Sequence, residues 1–395
     1  MKRLTLLLLG LVMGVSATAR AQGLTMQMSN GWSFQFAGNV NAFWVFTAQN
    51  NSGPKNSSVR TGLLPAFATF EARGKEAGLN LAVHFGFAPQ INNGPAHDQF
   101  GGGTGIQAGA QIDMRQVYLT IGGDWGTILA GRELSLFSRQ NILQDMTLFG
   151  VGAVGIGAGQ AKGTTLGRIA YGYLYPNFNA QLTYSSKAGS PGQLSIGLFQ
   201  PSVVPGNGSV AAPQYGFTTI PRVEAEFIYN QKSGSNRWMG WLGGTWQTTK
   251  NLPSGGNSVS SIGGTAGVRG DFAALSVVVS AYIGKGLGAG LQFSGGEIAA
   301  NGTDTRKSDG GYAQATYKVA PKTTVGFSWG FSRLVNDQTG DGNTAVRSNV
   351  YSYTLGIYHQ WTKSLKLVFE GTEEGSTAVG RPKQTDVSGG FMLFF

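Results

Sequence analysis

The sequence predicts an all-β protein that forms a transmembrane antiparallel β-barrel. Three observations predict this class. Apolar and polar residues alternate with a period of two along most of the chain. Short turns and long Gly-rich loops alternate between these runs. Of the 395 residues, 63 are Gly and only 12% are charged, against about 25% in an average soluble domain.

The N-terminus has the pattern of an export signal. A basic start is followed by an apolar run from Leu4 to Val15 and by an A-x-A cleavage pattern that ends at Ala21. We therefore expect a cleaved signal peptide at residues 1–21 and a single barrel domain at residues 22–395. A retained anchor is the alternative, although the apolar run is too short for a comfortable spanning helix. No later segment reaches the length of an apolar spanning helix, so a membrane form must be a closed barrel.

The composition excludes several kinds of function. The chain has no Cys, which excludes a disulfide framework and thiolate sites. The formal charge of +10 falls to +7 (10 − 3) when the three basic residues of the signal peptide are removed. The basic residues occur singly within strands, which favours a charged lumen or surface over nucleic-acid binding. We expect no cofactor and no metal site.

The strand pattern is clearest at residues 32–47. Phe34, Phe36 and Trp44 lie on one face, and Asn39 and Asn41 lie on the other. We expect the apolar face to contact lipid and the polar face to contact water. The predicted strands span residues 32–47, 62–74, 77–89, 108–121, 125–132, 164–186, 192–200, 219–231, 236–249, 259–270, 272–284, 310–320, 323–334, 347–361, 364–372 and 384–395.

This prediction gives 16 strands, with 18 as the alternative. An even number places both termini on the side of the short turns. The weakest strand is 164–186, because Pro176-Asn177 shifts its alternation from one face to the other. One bulged strand there gives 16. A hairpin at the same point would require another hairpin elsewhere and would give 18.

The last strand, 384–395, ends in an aromatic residue. Phe391, Leu393 and Phe395 share one face of it. A soluble β-sandwich or propeller would also show alternation, so periodicity does not decide between the two classes. The signal peptide, the terminal Phe395 and aromatic residues near strand ends, such as Trp44 and Trp361, favour the membrane barrel.

One stretch carries a family resemblance. Arg115-Gln116-Val117-Tyr118-Leu119 leads through Gly122-Gly123-Asp124-Trp125-Gly126-Thr127 to Gly131-Arg132, and Gly167-Arg168-Ile169-Ala170-Tyr171 follows after a long segment. This motif resembles the Gram-negative outer-membrane general porins, in which a strand pair ending in Gly-Arg precedes the third and longest loop. The motif covers residues 115–171, and the architecture resembles the family over the whole mature chain. The Pro-Glu-Phe-Gly-type loop core of the family is replaced here by Leu148-Phe149-Gly150-Val151-Gly152.

The resemblance implies that the loop at about 133–163 folds into the barrel and narrows it. In the family, acidic loop residues face a row of arginines on the wall. The candidate pore residues are Glu133 and Asp145 on the loop and Arg132, Arg168, Arg115 and Arg73 on the wall. Pinning of the loop by Arg132 is the alternative to a direct filter role. Other charged residues at inward positions are expected to keep the lumen wet: Arg222, Glu224, Glu226, Arg269, Lys318, Lys366 and Glu370.

The resemblance also implies a function. We expect passive diffusion of small hydrophilic solutes and ions through an outer-membrane channel, which is a homotrimer by resemblance. The mature charge of +7 favours anions. In the family a terminal Phe serves as a signal to the outer-membrane assembly machinery, and this implies that role for Phe395. The alternatives are a substrate-selective channel for an anionic nutrient, a structural barrel and an outer-membrane hydrolase.

Two further motifs and the three histidines give little support for a nucleotide site, a calcium site or an enzyme. Gly150-Val151-Gly152-Ala153-Val154-Gly155 matches G-x-G-x-x-G, but the strand, helix and acid of a dinucleotide site are missing, so we interpret it as chance. The loop at 335–346 begins like a calcium loop without its final Glu, and calcium binding there stays open. His84, His97 and His359 form no triad by spacing, so we expect no enzyme.

Overall fold

The alternating runs form one antiparallel sheet that closes on itself. The computed structural model describes residues 23–50, 53–91, 112–156, 163–188, 191–205, 214–251, 256–335, 347–377 and 382–395, without the side chains of residues 347 and 348. Neighbouring strands pair along the chain, β9 pairs with β10, and the last strand pairs with β2 to complete the ring. The strands of the described residues are β1 (Leu24–Gln27), β2 (Ser33–Gln49), β3 (Lys55–Arg60), β4 (Phe67–Glu76), β5 (Leu79–Pro89), β6 (Ile112–Gly123), β7 (Gly126–Leu134), β8 (Phe178–Ser185), β9 (Gly192–Phe199), β10 (Arg222–Ser233), β11 (Asn236–Lys250), β12 (Ser258–Phe272), β13 (Leu275–Lys285), β14 (Lys307–Ala320), β15 (Thr323–Val335), β16 (Arg347–Gln360), β17 (Leu365–Ser376) and β18 (Gln384–Phe394).

These eighteen strands of the described chain occupy sixteen positions around the barrel. Along one edge of β2, β18 pairs with residues 39–49 and β1 pairs with residues 33–36, so β1 and β18 share a position. Between them, Gly38 and Phe395 exchange two backbone hydrogen bonds of 2.9 and 3.0 Å. Along the other edge of β2, β3 and β4 share a position in the same way. The prediction of a 16-stranded barrel is therefore confirmed.

The two faces of the wall differ as the sequence predicts. In β2, Val40 and Trp44 are exposed, whereas Asn39 and Asn41 are buried. In β18, Phe391 and Leu393 are exposed, whereas Asp386 is buried. Apolar side chains therefore point outward and polar side chains point into the barrel, as a membrane barrel with a polar interior requires.

The connectors separate the two rims of the barrel. On one rim, short turns such as 77–78, 234–235 and 273–274 join the strands. On the other rim lie the long connections, among them residues 135–177 and 286–306. Among the described residues, no helix has the length and apolarity needed to span a membrane.

Two predicted strands are wrong in part. The predicted strand 62–74 begins at Phe67, because residues 61–66 leave the wall and pack on a loop inside the barrel, where Leu63 N–H donates to Gly150 O (2.9 Å). The predicted strand 164–186 begins only at Phe178. Residues 164–177 belong to the loop inside the barrel, and Tyr173 and Leu174 are both fully buried, so this segment has no exposed face.

The other predicted strands lie within a few residues of the observed ones. Residues 108–111 of one predicted strand lie outside the described residues, as do the predicted signal peptide and residues 336–346 of the calcium-like loop.

Loop residues fill much of the barrel interior with an apolar core. Phe137, Leu148, Tyr173 and Leu174 of the first long connection are buried together with wall residues such as Trp241. Leu287 and Ile298 of the connection 286–306 join the same cluster. Two loops therefore occupy the lumen, and their contacts with the wall define the space that remains for solutes.

Candidate functional site

The main feature of the lumen is the connection between β7 and β8, residues 135–177, which we call the infolded loop. It is longer than the predicted 133–163, because the tyrosine-rich segment 164–177 belongs to it. It contains the short helix α1 (Arg139–Leu143) and a 3-10 helix (Met146–Phe149). Asp145 caps the latter by accepting a hydrogen bond from Thr147 N–H (2.9 Å).

The first part of the infolded loop is held by two acids of β10. Glu224 Oε2 accepts a hydrogen bond from Phe137 N–H (2.9 Å). Glu226 forms an ion pair with Arg139 and accepts a hydrogen bond from Gln140 Nε2 (3.2 Å). All three loop partners of these acids are buried, so the contacts are little weakened by water.

The middle of the infolded loop is held by amides. Asn141 Nδ2 donates to Thr265 Oγ1 (2.8 Å), and Asn141 Oδ1 accepts from Trp241 Nε1 (2.7 Å). Gln144 O accepts from Gln314 Nε2 (2.7 Å), and Gln144 Oε1 accepts from Arg269 Nη1 (2.9 Å). The side chains on the wall come from β11, β12 and β14, so the loop reaches across several strands.

The Gly-rich part of the infolded loop binds two acids of β17. Val151 N–H and Gly152 N–H both donate to Glu370 Oε2, each at 2.7 Å. Val154 N–H and Gly155 N–H donate to Glu374 Oε1 at 2.5 and 3.0 Å. Successive N–H groups that converge on an anion form a nest, and the positive φ angles of Gly152 (56°) and Gly155 (105°) make this shape possible. We call these two contacts the carboxylate staples.

The G-x-G-x-x-G match therefore has a structural role that the sequence interpretation missed. It cradles carboxylates of the barrel wall, and no βαβ unit surrounds it in the described chain. Backbone N–H groups bind anions through the same geometry in phosphate-binding loops, but here the anion belongs to the protein.

Asp145 and Arg168 organise the far side of the infolded loop. Asp145 Oδ2 accepts hydrogen bonds from Arg168 N–H (3.1 Å) and from Tyr173 OH (2.9 Å). Burial raises the pKa of the Asp145 carboxyl above its usual value, while the charge of Arg168 acts in the opposite direction. Arg168 Nη1 donates to Ser352 O (2.7 Å), and its Nη2 donates to Ser328 O (2.7 Å).

The predicted location of Arg168 on the wall is thus wrong. Arg168 lies in the infolded loop, is fully buried and attaches the loop to β15 and β16. The error follows from the predicted strand 164–186, which would have placed residue 168 on the wall.

Arg132 does not face the lumen either. Its neighbour Glu133 is buried and accepts a hydrogen bond from Gln116 Nε2 (2.7 Å) inside the barrel. Arg132 lies opposite Val117 and Ala180, on the face that carries exposed apolar residues of β6 and β8. Successive residues of a strand point to opposite faces, so the register places Arg132 on the outward face and contradicts the predicted inward position.

The remaining predicted residues lie inside the barrel. Arg73 forms an ion pair with Glu71 on β4, and Glu71 Oε2 lies 3.0 Å from His84 Nδ1. Arg115 is the bulged residue of β6 and donates to Asp113 Oδ2 (3.1 Å). Its guanidinium carbon lies 5.5 Å from the ring centroid of Phe178. These groups form a polar strip along β4, β5, β6 and β7.

A cationic region lies between the infolded loop and the short-turn rim. We call it the lower vestibule. Its acids at lumen-facing strand positions are Glu71 and Asp271, and its net charge in the described chain is therefore 7 − 2 = +5. The cations at these positions are Arg73, Lys75, Lys232, Arg237, Arg269, Lys318 and Lys366.

Comparison with known proteins identifies the family. No curated relative matches the sequence. A family model described as Gram-negative porin matches residues 6–377. The chain belongs to the Gram-negative porin family. As a porin it resides in the outer membrane and forms a channel for the passive diffusion of small hydrophilic solutes.

Solved structures share the fold of this porin at low sequence identity. The outer membrane channel DcaP of Acinetobacter baumannii is 12% identical with a TM-score of 0.66, covering 94% of this chain and 99% of that chain. In-vitro folded OmpT of Vibrio cholerae is 14% identical with a TM-score of 0.57, covering 95% and 100%. OmpF of Salmonella typhi in complex with daunomycin is 13% identical with a TM-score of 0.57, covering 94% and 100%.

The sequence interpretation missed the main anchors of the porin's loop. Glu224, Glu226 and Glu370 were expected only to keep the lumen wet, and Glu374 was not considered. One signal could have found them. Glu224 and Glu226 are two residues apart on β10, and Glu370 and Glu374 are four residues apart on β17. Even spacing places each pair on one face, and a charge on the inward face needs a partner or water.

Proposed function

We propose that this porin prefers anions and that the lower vestibule sets the preference. The observation that carries the proposal is the imbalance of charge along the lumen. Near the infolded loop, the acids Glu224, Glu226, Glu370 and Glu374 are occupied by loop donors. In the lower vestibule, cations outnumber acids by seven to two in the described chain. A lumen lined by one sign of charge concentrates ions of the opposite sign.

The preference can be measured as a reversal potential. We expect planar bilayers with asymmetric KCl to show an anion-selective reversal potential for the wild type. Arg237→Gln/Lys318→Gln removes two vestibule charges and should shift selectivity towards cations. The matched control is Lys322→Gln/Lys363→Gln, which removes the same charge from exposed turns on the same rim. A cation-selective wild type, or an equal shift in both variants, would contradict the proposal.

A second candidate is a channel selective for an anionic nutrient. Its support is the extent to which loops occupy the lumen. The connection 286–306 packs inside the barrel beside the infolded loop, and Tyr175 N–H donates to Gly290 O (3.0 Å) between the two. Two interlocked loops leave less room than one, and selectivity increases as the contacts with the solute increase. Liposome-swelling rates for anions of equal size distinguish the candidates, because a general porin ranks solutes by size and charge alone.

We further propose a homotrimer with β6 and β7 at the subunit interface. An exposed Arg132 on the outward face would be costly in contact with lipid. A neighbouring subunit would remove that contact. One of the similar structures is a trimer form of OmpT of Vibrio cholerae. Sedimentation of the detergent-solubilised protein tests the proposal, and a monomer would refute it.

Three further expectations belong to this proposal. The channel has no enzymatic activity, and ester substrates should be unchanged after incubation with the pure protein. Residues 1–21 are removed on export, so that N-terminal sequencing should begin at Gln22. Arg73, Arg115, Glu133 and Asp145 border the solute path, and their neutralisation should change ion selectivity.

A further inference from the structure

The outward face of the barrel carries an unusual pair of lysines near the long-loop rim. Lys285 at the end of β13 lies directly opposite Lys307 at the start of β14. Both side chains are exposed. Ile283, two residues from Lys285 on the same face, is 68% exposed, so the pair lies on the surface that contacts the membrane. We call these two residues the lysine pair.

The fold gains nothing from this arrangement. Side chains directly opposite each other on adjacent strands have Cβ atoms about 4.5–5.5 Å apart, and like charges at this distance destabilise a sheet. Among the described residues, neither lysine forms an ion pair. The nearby acid Asp309 is engaged by Arg333, whose Nε donates to Asp309 Oδ2 (2.8 Å). The group of Lys285, Lys307, Arg333 and Asp309 therefore keeps a net charge of 3 − 1 = +2.

The height of the lysine pair matches the head groups of the membrane. Phe331 and Tyr351 lie opposite each other on β15 and β16 and point outward. Aromatic residues mark the interface between lipid tails and head groups. Arg333 lies two residues above Phe331 on β15, and Lys307 lies opposite Val335, four residues above Phe331. The lysine pair is thus on the water side of the aromatic row, where lipid phosphates lie.

Apart from Asp309, which lies opposite Ile283 and is engaged by Arg333, the surface beside and below the lysine pair is apolar. Ile262 lies opposite Lys285 on β12 and is exposed. Val279 and Ile283 continue the exposed apolar surface along β13 towards the membrane centre. A ligand that fills both parts of this surface needs an anionic head and hydrocarbon chains, which free phosphate does not have.

We propose that the lysine pair binds the phosphate group of an outer-leaflet lipid whose acyl chains lie on Ile262, Val279 and Ile283. The long-loop rim of an outer-membrane barrel faces the cell exterior, so the lipid belongs to the outer leaflet. Two ammonium groups that repel each other in its absence are both neutralised by one bridging phosphate. The bound lipid thereby relieves a repulsion that the fold itself leaves uncompensated.

The test is native mass spectrometry of the purified full-length protein in detergent with added bisphosphorylated lipid A. We expect Lys285→Gln/Lys307→Gln to weaken binding about 30-fold, because each surface cation contributes about a factor of five to the binding of anionic lipid. The control Lys322→Gln/Lys363→Gln removes the same charge from turns at the opposite rim and should bind as the wild type does. Lys285→Arg/Lys307→Arg keeps both charges and should also retain binding.

Two further ligands separate the possible sources of the phosphate. Dephosphorylated lipid A should bind all variants equally weakly, and inorganic phosphate should not displace bisphosphorylated lipid A. Equal affinity of wild type and Lys285→Gln/Lys307→Gln for bisphosphorylated lipid A would overturn the proposal. Displacement by inorganic phosphate at comparable concentration would also overturn it, since the acyl chains would then contribute nothing.

Discussion

The carboxylate staples make the position of the infolded loop depend on two side chains. Glu370 and Glu374 together accept hydrogen bonds from Val151, Gly152, Val154 and Gly155. The double variant Glu370→Gln/Glu374→Gln keeps the size of both side chains and removes both charges. We expect it to weaken the attachment of residues 150–155 to β17.

The magnitude follows from the number of bonds. A hydrogen bond to a charged group contributes about 1.5–3 kcal/mol, and one between neutral groups contributes about 0.5–1.5 kcal/mol. Four contacts that lose about 1 kcal/mol each weaken the attachment by about 4 kcal/mol. This loss corresponds to about a 1,000-fold increase in the population of loops detached at residues 150–155.

Hydrogen exchange of the loop amides measures this population. Protection of the amides of Val151, Gly152, Val154 and Gly155 should fall by about 1,000-fold in the double variant, because exchange requires the amide to leave its acceptor. The matched control is Glu373→Gln, a partly exposed residue between the two staples that pairs with Lys383. Unchanged protection in the double variant, or an equal loss in Glu373→Gln, would refute the reasoning.

Two other predictions concern acidity and assembly. In the docked loop, burial raises the pKa of Asp145 above its usual 3.8. The docked state therefore binds the proton more tightly than the detached state does. The resulting stabilisation of the docked loop is present below pH 3.8 and is lost as the pH rises through the raised pKa. A loop that stays docked keeps the pore narrow, so single-channel conductance should fall on acidification towards pH 4. Asp145→Asn should reduce this dependence, and an identical pH profile in the variant and the wild type would contradict the assignment. Deletion of Phe395 removes two backbone hydrogen bonds to Gly38 and a ring contact at 5.1 Å with Phe36. The amount of heat-modifiable barrel in outer membranes should then fall more than the conductance of each inserted channel, and the reverse result would argue against an assembly role.

The wall of the barrel could be predicted from the sequence because its signal is local. In β2 and β18, the polarity of a residue indicates which side of the sheet its side chain is on, because one side contacts lipid and the other side contacts polar groups. Such a signal needs no knowledge of distant partners. The alternation of short and long connectors then determines the orientation and the even number of positions.

The infolded loop could not be predicted in the same way. Tyr171 and Tyr173 alternate as in a strand, but both lie in a loop, where Tyr171 OH bonds to Glu374 and Tyr173 OH bonds to Asp145. Gly172 between them and Leu174 after them are buried as well, so the alternation carries no information about which side contacts lipid or water. The staples join residues more than 200 positions apart, and no local pattern specifies such a pair.

Arg132 shows an error of a different kind. Its inward position was implied by the family resemblance, whereas Ile128 and Ala130 precede it on the same parity of β7. Counting from these apolar residues places Arg132 outward. The local period was therefore a better guide to direction than the family motif.

The meeting of β1 and β18 has a practical consequence. On β2, Gly38 is bonded to Phe395 and Phe36 lies opposite Leu24. Ala37 is the single β2 residue between these two pairs, and Gly23 lies opposite it. Both strands run antiparallel to β2, and a peptide bond from Phe395 to Gly23 would continue a single strand without a linker. A circularly permuted chain that opens at Gly234 in the turn between β10 and β11 would therefore keep the complete hydrogen-bonded ring while its ends lie elsewhere.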